Sequence, residues 1–257
     1  MRQLLVILFL SVSVISFAQI DVVSKLKSDF ELAIINKNET KKVEIATKLF
    51  KSYSSTVYAY YNSVLATLPK ESILVTNGID DLFPLLILQT TKNVNPTVDI
   101  LSLKLMIKHS VYASSVFEAY NLSSSFNKTS KSIYLSRLLN QNKSKLFLSV
   151  TIPYTTYSNH QSSLFLIGSV LEHKSTTQYE KLVQFYKSNS LFLNNIPKLS
   201  EGEKQLISNC LPALLTLYKM QNQIGKANNG LRKQILSLAK EIGKKDVVEK
   251  IVNTYKK

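Results

Sequence analysis

Cysteine, tryptophan, histidine, arginine and glycine are all scarce in this chain, and each shortage excludes something. Cys210 is the only cysteine among 257 residues. An internal disulfide framework is therefore impossible, and lipid attachment at a mature N-terminal cysteine is excluded by its position. His109, His160 and His173 are scattered, with no second histidine, cysteine or acid at ligand spacing, so no metal and no other cofactor is expected. The six glycines form no phosphate-cradling cluster, and Gly168-Ser169 lacks the flanks of a nucleophile elbow. Arg2, Arg137 and Arg232 are the only arginines, so the formal charge of +15 rests on lysine. The planar fork that grips phosphate bidentately is almost missing, which argues against nucleic acid. Lysines spread over solvated helix faces instead fit salt-sensitive, peripheral contact with an anionic membrane or glycan surface.

What is present begins with an export signal. Arg2 precedes an apolar run from Leu4 to Phe17, with small residues at Ser16 and Ala18, so residues 1–18 read as a signal peptide. The run is shorter than the roughly 20 residues a spanning helix needs, so cleavage after Ala18 is expected, with retention as an anchor the alternative. Export without disulfides points to the periplasm or envelope of a Gram-negative bacterium.

Apolar residues then recur at helical spacing over residues 22–68, first at Val23, Leu26, Phe30, Ala33 and Ile34, then from Val43 through Val57 and Tyr61 to Leu68. Asn36 to Glu39 joins the two runs, and Pro69 stops the second. Over residues 69–175 the period changes. Ile73-Leu74-Val75, Val98 to Leu103 and Leu146 to Ile152 read as buried strands, separated by helical patterns at Leu82 to Gln89, Lys104 to Tyr120 and Ser132 to Leu139. This is an α/β core with a small, mostly parallel sheet. Leu164 to Leu171 fits either a further strand or a short helix. Residues 176–257 read as a C-terminal helical bundle, with a stripe from Leu206 to Met220 bent at Pro212 and breaks at Asn228 to Gly230 and Gly243 to Asp246.

The chemistry concentrates after the first strand. Asp80 and Asp81 follow a turn at Asn77-Gly78 and stand where a helix begins, so capping alone explains one of them. The functional alternative places the pair, with Asp99 near the next strand, in the crevice at the strand ends, facing a hydroxyl-rich ligand or a hard cation. Two carboxylates and a single glycine disfavour phosphate there. Tyr154 and Tyr157 follow the third strand on the same expected edge, where aromatic rings can stack on a sugar. Cys210 sits on an apolar stripe and reads as a core residue.

The segment Ile73 to Gln89 resembles a motif, close to ILFTNGDNDTFPLWYLQ, in the soluble C-terminal region of bacterial protein O-mannosyltransferase-like multi-pass membrane proteins. Thr76-Asn77-Gly78, Asp81, Phe83-Pro84-Leu85 and Leu88-Gln89 carry the likeness, and VDILSL resembles the next strand of that region. LFLSVTIPYTTY and SLFLIGSVLE extend it, so that it spans Val64 to His173. Ile79 replaces an acid of that pattern, and Leu86-Ile87 replace an aromatic pair. The membrane-embedded half that would carry glycosyl transfer has no counterpart in this sequence. The resemblance therefore implies the role of the soluble domain alone, which has no assigned function.

Together these features lead to an exported envelope protein acting as a non-catalytic binding or interaction module, with an envelope protein or glycan as partner. An enzyme or glycan-handling protein using the acids at the strand ends is the alternative, although no complete catalytic constellation is visible.

Overall fold

A computed structural model describes residues 22–122, 130–174, 178–194 and 198–255. The signal-like residues 1–18 lie outside the described residues. No helix among the described residues is long and apolar enough to cross a membrane.

The N-terminal pattern forms three helices: α1 (residues 22–35), α2 (Glu39–Leu49) and α3 (Ser55–Thr67). Lys37 takes a left-handed conformation and Asn38 caps α2, which accounts for the joint expected at Asn36 to Glu39. The run from Val43 to Leu68, expected as one helix, is instead broken. A 3-10 turn at Phe50–Ser52 and extended Tyr53 end α2, and the Ser54 side chain accepts the Val57 N–H to start α3.

Beyond Pro69 come β1 (Ile73–Thr76), α4 (Ile79–Lys92), β2 (Asp99–Ser102), α5 (Leu103–Lys108), α6 (Ser110–Ala119), α7 (Lys131–Asn142) and β3 (Leu146–Ser149). The helical stretch expected from Lys104 to Tyr120 is divided at His109, whose backbone is extended. His109 Nε2 and Lys108 Nζ meet Glu31 Oε1 at 2.9 and 2.6 Å, which ties α1 to this corner. A short α8 (Tyr154–Tyr157) and a 3-10 turn at Ser158–Ser163 then lead into β4 (Leu164–Leu166) and β5 (Val170–His173).

Among the described residues the strands form one sheet in the order β2-β1-β3-β5-β4. The α/β class is as expected, but the sheet is mixed rather than mostly parallel. β1 pairs parallel with β2 and β3, whereas β5 runs antiparallel to both β3 and β4. The stretch from Leu164 to Leu171 resolves into β4 and the start of β5, joined by a tight turn in which Ile167 N–H bonds Val170 C=O at 3.0 Å. Gly168 holds φ +122° there, and a Cβ would come within 2.7 Å of Phe185. A hairpin of this tightness needs glycine at that position. β1 and β3 are buried along their whole length, as strands covered on both faces must be.

The C-terminal helices are α9 (Tyr179–Asn194), α10 (Glu201–Ser208), α11 (Leu211–Gln223), α12 (Asn229–Glu241) and α13 (Lys245–Thr254). Pro212 does not bend one long helix. It lies in the first turn of α11, where its missing N–H costs nothing, after a turn through Asn209 and Cys210. α3 packs on α4, α9 and α10, so one hydrophobic core runs from Phe30 through the sheet to Val252. Cys210 is a buried member of that core, and burial pushes its thiol up to about 12.

Candidate functional site

The turn after β1 is fixed from several sides. The Thr76 hydroxyl donates to the Leu101 carbonyl at 2.9 Å, Lys104 N–H to the Asn77 carbonyl at 3.2 Å, and Lys131 Nζ to Asn77 Oδ1 at 2.7 Å. α4 starts at Gly78 without a side-chain cap. Pro84 lies inside this helix and has no N–H to give the Asp80 carbonyl one turn earlier. The Tyr61 hydroxyl lies 2.7 Å from Asp81 Oδ1 and 3.3 Å from that carbonyl, so its one proton goes chiefly to the carboxylate and is shared only weakly with the carbonyl that the proline leaves open.

Asp81 is buried at 6 % exposure with both oxygens engaged. Oδ1 accepts from Tyr61, Oδ2 accepts from the Thr151 hydroxyl at 2.5 Å, and the Asn77 backbone N–H also donates to the carboxylate. Burial raises the carboxyl above its ordinary range and the adjacent Asp80 adds to this. The donors Thr151, Tyr61 and Asn77 pull the other way without cancelling the rise. Asp81 thus joins α3, α4 and the segment after β3 at one point. It reaches back to a backbone N–H, as a capping acid does, but its two hydroxyl partners come from other elements.

Asp80 faces the other way. It is exposed and, among the described residues, its carboxylate has no donor and no ion-pair partner. It lines a cleft of about 640 Å³ whose walls are the β1 turn (Asn77, Gly78, Asp80, Asp81), the segment from Val150 to Tyr157, Lys104 at the start of α5, Gln205 on α10 and Asn209 in the turn after it. Tyr154 and Tyr157 form one wall with rings edge to face, 5.6 Å apart at 84°. The Tyr154 hydroxyl bonds Gln161, and burial raises the Tyr157 phenol above its usual range, with Tyr154 adding to the rise.

Four of the five residues singled out from sequence, Asp80, Asp81, Tyr154 and Tyr157, therefore meet in one cleft. Asp99 does not. It opens β2, opposite Ile73 at the start of β1, and so lies at the other end of the sheet, where the Tyr120 hydroxyl donates to it at 2.6 Å.

Four contributors escaped the sequence reading. Lys104 follows the second strand and was within reach of the same carboxyl-end rule. Tyr61 on α3, Gln205 on α10 and Asn209 in the turn after α10 come from segments with no local mark of a site. Among the described residues no group of three or more metal-ligating acids, histidines or cysteines is gathered. No family model, curated protein or solved structure matches this chain.

Proposed function

We propose that this protein is an exported, non-catalytic binding module that takes a small polar ligand in the cleft between the β1 turn and the segment after β3. The observation that carries the reading is topological. With the order β2-β1-β3, the chain leaves β1 toward one neighbour and returns to the sheet on the other side of it. The crevice at the carboxyl ends of β1 and β3 is the switch point where open α/β sheets hold ligands. The cleft opens there, lined by the side chains that the sequence had marked.

A binding role is favoured over catalysis because the Asp81 carboxyl is buried and held by three donors of the protein itself, and Cys210 is buried with a raised thiol. Export is supported by the signal-like N-terminus, and adhesion to anionic envelope surfaces by the lysine excess. The likeness of Ile73 to Gln89 to the soluble region of O-mannosyltransferase-like proteins fits a ligand cleft at this turn.

The test is amide-resolved NMR on the full chain titrated with small polar compounds. Shifts should concentrate at Asn77 to Asp81 and Val150 to Tyr157 and need a higher ligand concentration in Asp80→Asn. A panel of amines, acids and sugars that leaves these amides unmoved would sink the proposal.

A further inference from the structure

Two charges of opposite sign flank Gly78 in the cleft and do not meet. The Lys104 stem runs so close that a Cβ on Gly78 would lie 3.3 Å from its Cδ, and Asp80 stands two residues along the chain. Among the described residues neither forms an ion pair. The protein carries 32 basic and 17 acidic residues, yet the charged residues lining this cleft are Asp80, Asp81 and Lys104. With both Asp81 oxygens engaged, one free carboxylate and one free ammonium remain.

We infer that the ligand is a small zwitterion, an amino-carboxylate whose ammonium lies at Asp80 and whose carboxylate faces Lys104, in the cleft that the Tyr154 and Tyr157 rings also line. This rests on the cleft being a ligand site. A lone anion would meet Asp80, a lone cation would meet Lys104, and a neutral sugar would desolvate both charges without pairing either. The two phenol rings add a face that attracts an organic ammonium.

The experiment titrates the full chain with γ-aminobutyrate and L-alanine, and with butylamine, butyrate and glucose as comparators that lack one or both charges, following the amides of Gly78 and Thr151. At least one amino-carboxylate should bind about tenfold tighter than every comparator. Asp80→Asn and Lys104→Met should each weaken it about tenfold, while Asp99→Asn at the far end of the sheet leaves it unchanged. Equal or tighter binding of a comparator, or amino-carboxylate binding indifferent to both substitutions, overturns the zwitterion and leaves the cleft standing. If no probe moves either amide, the zwitterion falls together with the cleft as a ligand site.

Discussion

At the amino end of the parallel strands Tyr120 donates to Asp99 at 2.6 Å, and at the carboxyl end Tyr61 donates to Asp81 at 2.7 Å. The chemical pair is the same, but Asp99 is exposed while Asp81 is 6 % exposed. Water competes for the first pair and replaces it when it breaks, so its net worth is small. At Asp81 the carboxylate also holds Thr151 and the Asn77 N–H, and removing it strands three donors around one buried point. Burial and the number of partners, rather than the bond itself, separate a surface contact from a structural joint.

The largest expected effect that would break this comparison comes from Asp81→Ala, which should lower unfolding stability by about 2–3 kcal/mol in urea denaturation. A loss below about 0.5 kcal/mol would place Asp81 with ordinary surface residues. Tyr61→Phe should cost about 1–2 kcal/mol, because the Asp81 carboxylate and the Asp80 carbonyl lose the same hydroxyl. Its urea midpoint should fall with the slope unchanged.

A finer distinction comes from pH. Burial raises the Asp81 carboxyl, so the folded state binds that proton more tightly than the unfolded chain does. Ionised Asp81 therefore costs stability at neutral pH, and the cost is relieved as pH falls through the raised folded value toward the unfolded one. Wild type should gain on Asp81→Asn as the pH is lowered from 7 into that window, in paired urea titrations. A wild type that loses ground on acidification would contradict the sign. The smallest effect is expected at the other end, where Asp99→Asn and Tyr120→Phe should each change stability by less than about 1 kcal/mol.

Much of the parallel half of the sheet was legible in the sequence. Ile73-Leu74-Val75, Val98 to Leu103 and Leu146 to Ile152 are apolar on both strand faces, and β1, β2 and β3 fall within or beside those stretches. Strand direction was not legible at β5. Val170–His173 alternates between buried and half-buried residues, and only its partners β3 and β4 reveal that it runs antiparallel. The break between α2 and α3 was hidden because Phe50 and Val57 keep the helical period across it, while extended Tyr53 and the cap at Ser54 interrupt the backbone.

At the site, the turn chemistry at Asn77-Gly78 drew attention to Asp80 and Asp81, and both line the cleft. Asp99 was grouped with them because it borders a strand, but it borders the start of one. In parallel strands the start and the finish lie at opposite ends of the sheet. Tyr61 reaches Asp81 through the packing of α3 on α4, a contact with no local signature.

The central place of β1 also sets the order in which its edges close. Its first parallel partner begins at Asp99, but the other side of Ile73–Thr76 stays open until Leu146 arrives. In a chain that folds as it emerges, this short apolar strand exposes a bare row of N–H and C=O groups through the synthesis of α5, α6 and α7. A half-finished β1–β2 pair is the species that a second unfolded copy would join edge to edge. The Ile73 N–H bond to the Lys145 carbonyl, 2.8 Å long, marks the point at which that edge is closed.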